Sequence, residues 1–455
     1  MQHTEKSDPR LAGPKITLPL PGPNAQRIIA EDQRCMSPSY TRPYPLVARR
    51  GRGMIIEDVD GNEFLDFSAG IAVVSTGHCH PEVVAAIRNQ AGELIHMSGT
   101  DFYYEQLTDL ARRLSAVAPM PGPHRFYYGN SGAEAVECAI KLARYHTRRQ
   151  HLIAFHGAFH GRTIGALSLT ASNPQQRRRF SPLMPGVTHV RYPDTYRYCK
   201  GGPEEQEAFA LGCAQFIEEN LFRSTLPPEE VAAIVLEPIQ GEGGYVVAHT
   251  RFLQEIRQIC DRHGILMVVD EVQSGFGRTG KWWAIQHSGV EPDIVTSAKG
   301  IASGMPLSVC MSRADIMDWP PGSHASTFGG NPVCIAAALA TMDVLERSAI
   351  RNAGEVGSHM MQRLQAWTGR HRIVGQVRGR GLMIGIEIVQ DQASRVRATR
   401  ERDAIIGLAF EQGLLCLGAG PNTIRLSPPL IVSSQQADIA LDILEGCISA
   451  VESAL

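Results

Sequence analysis

The chain has 455 residues, of which 43% are hydrophobic and 20% charged, and carries a net charge of -2. That length suffices for about three domains of roughly 150 residues each, and the near-neutral balance gives no electrostatic reason to bind nucleic acid or an anionic membrane. No run of about 18 uncharged apolar residues occurs and the first residues lack an apolar core, so neither a membrane span nor a secretory leader is expected.

Five prolines between positions 9 and 23 predict an extended arm over 8–23, placed to lie on another subunit. Over 54–67, runs of β-formers flank Asp60-Gly61, which predicts a hairpin. His78 and His80 read as a loop before a helix starting near Pro81, and no metal site is expected there. From about residue 80 to 335, helical patterns alternate with short apolar runs. Strands are predicted over 232–236, 265–269 and 294–296, and a helix over 251–263 closed by Gly264. This alternation predicts an α/β fold with a mainly parallel sheet covered on both faces. Such sheets bind ligands at the carboxyl ends of their strands. A helix over 337–346 then leads into a smaller α+β region with strands over 383–388 and 423–427. The implied division is an arm and part of a small domain (1–79), a large domain (80–335) and a C-terminal small domain (336–455). Ten cysteines with no Cys-x-x-Cys pair disfavour a zinc ribbon or a dithiol motif and favour a reducing, cytoplasmic setting.

Three short stretches carry chemistry. Gly129-Asn130-Ser131-Gly132-Ala133-Glu134 opens a helix, with Ser131 and Glu134 at capping-box spacing. It reads equally as a well-capped helix or as an anion site, where small residues admit a phosphate to the free N–H groups. Asp270 ends an apolar strand, where a carboxylate is costly without a partner. It is either a loop acid or the counter-charge of a pyridinium nitrogen. Lys299 follows a buried strand among Ala298, Gly300 and Ile301, surroundings that would lower its pKa and make it a nucleophile or base. Together the three supply a phosphate site, a pyridinium partner and a Schiff-base lysine.

Several motifs resemble those of the class III (ω-amino acid) aminotransferases, the 4-aminobutyrate and ornithine aminotransferase group with its racemase-type relatives. They run in the family's order from about residue 40 to 450: Asp58–Asp66, Thr76–Pro81, Ser131–Ala135, Phe159–Thr163, Glu237–Gly244, Asp270–Gly275, Lys299 and Thr327–Pro332. The resemblance implies the fold type I architecture of aspartate aminotransferase, a large domain with a smaller α+β domain from both chain ends. It also implies bound pyridoxal 5′-phosphate and a homodimer or dimer of dimers. Lys299 would be the Schiff-base lysine and Asp270 the partner of the ring nitrogen. Ser131, Gly132, Ala133, Phe159, His160, Glu237, Gln273 and the partner-reaching Thr327 would complete the cofactor site. Ile71, Arg162, Glu242 and Arg425 would contact substrate, with Glu242 neutralising Arg425 when an ω-amine donor is bound. Phe159 stands where 4-aminobutyrate aminotransferases more commonly have tyrosine, so the ring can still stack but brings no hydroxyl. The implied reaction is transfer of an amino group from a 4-aminobutyrate-like donor to 2-oxoglutarate. The alternative is racemisation or epimerisation of an amino acid.

Overall fold

The computed structural model describes residues 13–455. Its centre is a seven-stranded sheet. In spatial order the strands are His124–Gly129, Ser308–Arg313, Ile294–Ser297, Leu266–Asp270, Val231–Leu236, His151–Phe155 and Val187–Val190. Only Ser308–Arg313 runs antiparallel to its neighbours. The sheet is therefore mainly parallel, and its three predicted strands lie side by side at its middle.

Strand Val231–Leu236 is buried at every position, and so is Leu266–Asp270. Their alternate side chains enter different apolar clusters. Val235 and Val268 face the cluster around helix Gly132–Thr147, whereas Ile234, Leu236 and Val269 face the larger one containing Phe252 and Ile256. A two-sided sheet of this kind follows from continuous apolar runs instead of alternating ones. Helix Thr250–His263 covers the second face through Phe252, Leu253, Ile256 and Ile259, and ends at Gly264 with φ +61° as its sequence suggested.

The hairpin forms from Ile55–Asp58 and Glu63–Asp66. The Asp58 carboxylate accepts from the Asp60 and Asn62 N–H groups, which closes the turn. Leu414–Leu415 pairs in parallel with Glu63–Asp66, so distant parts of the chain share one sheet. A separate antiparallel sheet contains Val374–Arg380, Met383–Ile388, Thr423–Leu426 and Leu417–Ala419. The helix expected over 337–346 begins earlier, at Pro332, and passes into a wider turn at Leu345.

The predicted N-terminal arm is described only in part. Residues 8–12 lie outside the described residues. Residues 13–22 lie on their own chain: Lys15 pairs with Glu63 through hydrogen bonds of 2.7 and 2.9 Å, and Ile16 and Leu20 pack near Phe64 and Phe410. Pro23 starts helix Pro23–Cys35, where its fixed φ and missing N–H suit the first turn. Among the described residues no helix is long and apolar enough to cross a membrane.

Candidate active site

The carboxyl ends of five sheet strands converge on a cavity of about 390 Å³. Ser131, Gly132, Ala133, Phe159, His160, Glu237, Asp270, Gln273 and Lys299 all line it. Their origin on separate strands explains how residues distant in sequence meet.

One end of the cavity is the start of helix Gly132–Thr147. Ser131 caps it by accepting from the Glu134 N–H at 3.3 Å. The reciprocal half of the expected box is displaced by one residue. The Glu134 carboxylate accepts from the N–H and side-chain amide of Asn130, at 2.6 and 2.8 Å, so it braces the loop before the cap. First-turn N–H groups have no intrahelical partner and favour an anion. At Gly132 a Cβ would lie 2.8 Å from Val272, so only glycine lets this turn approach so closely.

The opposite end is a buried acid cluster. Asp270 pairs with His160 Nδ1 at 2.8 Å and accepts from the Val272 N–H at 2.9 Å. Burial alone would lower the His160 pKa, but the Asp270 hydrogen bond and charge outweigh it and raise the value. Glu237 accepts from the Phe159 and Gly241 N–H groups at 3.0 and 2.9 Å. Burial raises its pKa to about 7.

Lys299 begins a short turn just after strand Ile294–Ser297, with φ +39°. An L residue adopts that left-handed conformation at a cost of order 1–3 kcal/mol, and such strain gathers at active sites. Burial, then the charge of Arg425, lowers the amine's pKa to about 8, against the opposing pull of Asp270, Glu237 and Glu242. A neutral amine is thereby accessible close to physiological pH, as a nucleophile or base requires.

Pyridoxal phosphate fits this donor set. The helix start suits its phosphate, Asp270 its ring nitrogen, and Lys299 its aldehyde. Gln273 Oε1 and His160 Nε2 are buried polar atoms with no partner among the described residues, as expected of groups that await a ligand or water.

The substrate candidates divide. Arg425 is buried, stands 3.4 Å from Glu242, and its Nε has no partner among the described residues. Arg162 is exposed, with its guanidinium 5.9 Å from the centre of the Phe159 ring. Ile71 is also exposed, within a run of left-handed residues from Ala69 to Ala72, and Thr327 is exposed as well. None of these three lines the cavity. Glu242 and Arg425 do not line it either, yet their charges reach Lys299. Sequence reasoning missed Asn130 as a loop brace, Val73, and the wall Met305–Leu307. Only the asparagine carried a signal, its position beside the cap. His78 pairs with Asp66 at 2.8 Å, a contact that holds the loop preceding helix Pro81–Glu93.

The class-III aminotransferase family model matches residues 36–448. The chain belongs to that family. It is a PLP-dependent enzyme family, and the architecture here is its fold type I. The chain is 42% identical over 443 residues to the alanine/serine racemase of Pyrococcus horikoshii, covering 96% of this chain and 92% of that protein. It is 37% identical over 436 residues to the isoleucine 2-epimerase of Lentilactobacillus buchneri, covering 94% and 96%. It is also 37% identical over 408 residues to a probable 4-aminobutyrate aminotransferase of Bacillus subtilis, covering 89% and 93%. Among solved structures, an (S)-enantioselective ω-transaminase from Thermomicrobium roseum matches with a TM-score of 0.86 and 33% identity, covering 94% of this chain and 99% of that one.

Proposed function

We infer that the protein is a racemase or epimerase of neutral α-amino acids. The observation that carries this reading is the asymmetry of its two candidate carboxylate-binding arginines. Arg425 is buried and close enough to lower the Lys299 pKa, whereas Arg162 is exposed beside the Phe159 ring. One buried guanidinium suits a substrate with one carboxylate. 4-Aminobutyrate carries its carboxylate three carbons from the amine, and 2-oxoglutarate carries a second one. The racemase and epimerase among the relatives support the same choice.

The residues divide the work. Arg425 holds the α-carboxylate. Bound pyridoxal phosphate supplies an aldehyde for the amine and a ring that stabilises negative charge on the amino-bearing carbon. Asp270 keeps the ring nitrogen protonated, and His160 holds Asp270 in place. Lys299, whose lowered pKa of about 8 leaves a neutral fraction near physiological pH, takes the proton from the carbon. Racemisation is completed when a proton from solvent water enters the opposite face of that same carbon, Lys299 releasing to solvent the one it took. A homodimer belongs to this reading. Ile95, Tyr103 and Phe328 are exposed apolar side chains that a second copy would cover, and Thr327 would then reach the partner's phosphate.

The second reading is transamination from an ω-amino donor to 2-oxoglutarate. The Glu242–Arg425 contact favours it, because an acid that masks the arginine lets one pocket accept differently charged substrates. One experiment separates the two. The PLP-loaded protein is mixed with L-alanine, L-leucine, L-isoleucine or 4-aminobutyrate in deuterium oxide, with no keto acid present. The first reading expects deuterium at the α-carbon, appearance of the other stereoisomer and a persistent visible band. Stoichiometric bleaching of the band with release of a carbonyl product would overturn it and establish transamination.

A further inference from the structure

The loop bearing Glu242 and the strand bearing Arg425 are held together by a third, half-buried residue that hydrogen-bonds to neither side chain. Arg378, on strand Val374–Arg380, donates from Nε and Nη2 to the Gly244 carbonyl at 3.0 and 2.6 Å. Its Nη2 also donates to Thr423 Oγ1 at 3.0 Å, and its Nη1 pairs with the Glu387 carboxylate. Gly244 lies two residues after Glu242. Thr423 lies two residues before Arg425, on the same strand, so the two side chains share a face. One guanidinium thus ties together points two residues from each member of the pair.

The surroundings are built for this contact. Gly244 has φ +122°, and a Cβ there would lie 3.2 Å from Arg378 Nη2 and 3.1 Å from Thr423 Oγ1. The Glu242 carbonyl accepts from the Gly420 N–H at 2.6 Å, a second tie from the same sheet. Glu387 in turn accepts from Arg197, which anchors the arrangement outside the sheet. The Arg378 side chain is only 9% exposed and spends all three nitrogens on these bonds and on Gln376, so it has no capacity left for a substrate.

We propose that Arg378 is a positioning residue that sets the spacing of Glu242 and Arg425 and so keeps Arg425 available to a substrate carboxylate. This rests on the reading of Arg425 as the carboxylate site. A planar fork can make these divergent bonds at once, whereas a lysine ammonium at the end of a flexible stem cannot. Arg378→Lys therefore keeps the charge facing Glu387 but loosens the loop from the strand.

The test uses PLP-loaded full-length protein and follows the visible band during titration with L-alanine and with ethylamine, which has the amine but no carboxylate. Arg378→Lys is expected to raise the half-saturating L-alanine concentration about tenfold, equivalent to ~1.4 kcal/mol, while ethylamine saturation and cofactor retention on dialysis stay unchanged. In a Glu242→Ala background the effect of Arg378→Lys should shrink, because the two act through one pair. An unchanged L-alanine titration, an equal rise for both amines, or full additivity with Glu242→Ala would each overturn the proposal. Should Arg378→Lys fold poorly, Thr423→Val removes one Arg378 acceptor at constant shape, and a selective rise for L-alanine is expected there too; its absence would overturn the proposal. Arg425→Lys is the separate control. If it leaves L-alanine saturation unchanged, the carboxylate reading of Arg425 fails, whatever Arg378 does.

Discussion

Replacing Asp270 by asparagine removes one charge and almost no volume. The asparagine oxygen can still accept from the Val272 N–H, so the backbone contact at 2.9 Å survives. What disappears is the charge that faces His160 at 2.8 Å and, with cofactor bound, the ring nitrogen. A hydrogen bond to a charged group contributes roughly 1.5–3 kcal/mol, so the proton on the ring nitrogen should become easier to lose by about 10- to 150-fold. Two buried neighbours respond. His160, whose pKa Asp270 raises, should titrate lower, and Lys299 should fall below its value of about 8, because Asp270 currently pulls it upward. The assay is exchange of the α-hydrogen of L-alanine in deuterium oxide, with cofactor content measured on the same sample. Exchange should slow by at least tenfold even when cofactor occupancy is restored by excess pyridoxal phosphate. An exchange rate within about threefold of the parent, at full occupancy, would refute the role of Asp270 as the ring's counter-charge.

Other expectations follow from the same contacts. Lys299→Ala should retain non-covalently bound pyridoxal phosphate that borohydride no longer fixes to the chain; persistent fixation would move the covalent anchor elsewhere. Arg425→Ala should weaken saturation by L-alanine by roughly 30-fold or more, since a charge-assisted bond pair is removed, and titration of the visible band reports it. Glu271 is fully buried, accepts from Ser274 Oγ at 2.5 Å, and is pushed up by burial to about 7. A carboxyl whose pKa is raised on folding contributes stability below its unfolded value near 4.5, and that stability is lost as pH rises to about 7. Glu271→Gln should therefore flatten the decline in melting temperature of the cofactor-free protein between those two values. It should also stabilise that protein at pH 8 by up to roughly 3 kcal/mol, and an unaltered pH profile would show that Glu271 does not titrate there.

The large sheet was legible in the sequence because its strands are apolar on both faces. A run such as Val231–Leu236, buried throughout, leaves a signal in composition alone, and the acid or lysine that ends such a run stands out. Asp270 and Lys299 were found that way, and the cavity indeed lies where their strands end. The seat of the arm on its own chain was not legible, because proline marks an irregular chain without saying what it lies on. Its seat is an edge pairing between Lys15 and Glu63, made by backbone groups that carry no residue signature. The half-displaced capping box shows the same limit. The spacing of Ser131 and Glu134 is right, yet the carboxylate selects the Asn130 amide one residue earlier because that loop offers two donors. Arg378 was invisible for a related reason: three of its five hydrogen bonds go to residues 45 or more positions away in sequence.

The choice between racemisation and transamination depends on the part of the molecule that the sequence describes least. On the proposed roles, both reactions use Lys299, Asp270 and the start of helix Gly132–Thr147, all placed at the carboxyl ends of the large sheet's strands. They differ in which carboxylates the pocket accepts and in where the proton returns. On the proposed reading, the choice of carboxylate belongs to the loop around Glu242 and to strand Thr423–Leu426, joined by Arg378 across a sheet boundary. A change in the carboxylate that is accepted therefore need not disturb the catalytic end. It needs only a small movement of the loop against the strand, enough to expose Arg425 to a carboxylate or to mask it with Glu242. Relatives of similar identity whose names assign them to racemisation and to transamination fit that economy. It follows that exchanging loop and strand residues should redirect substrate choice far more readily than any substitution among the residues that line the cofactor cavity.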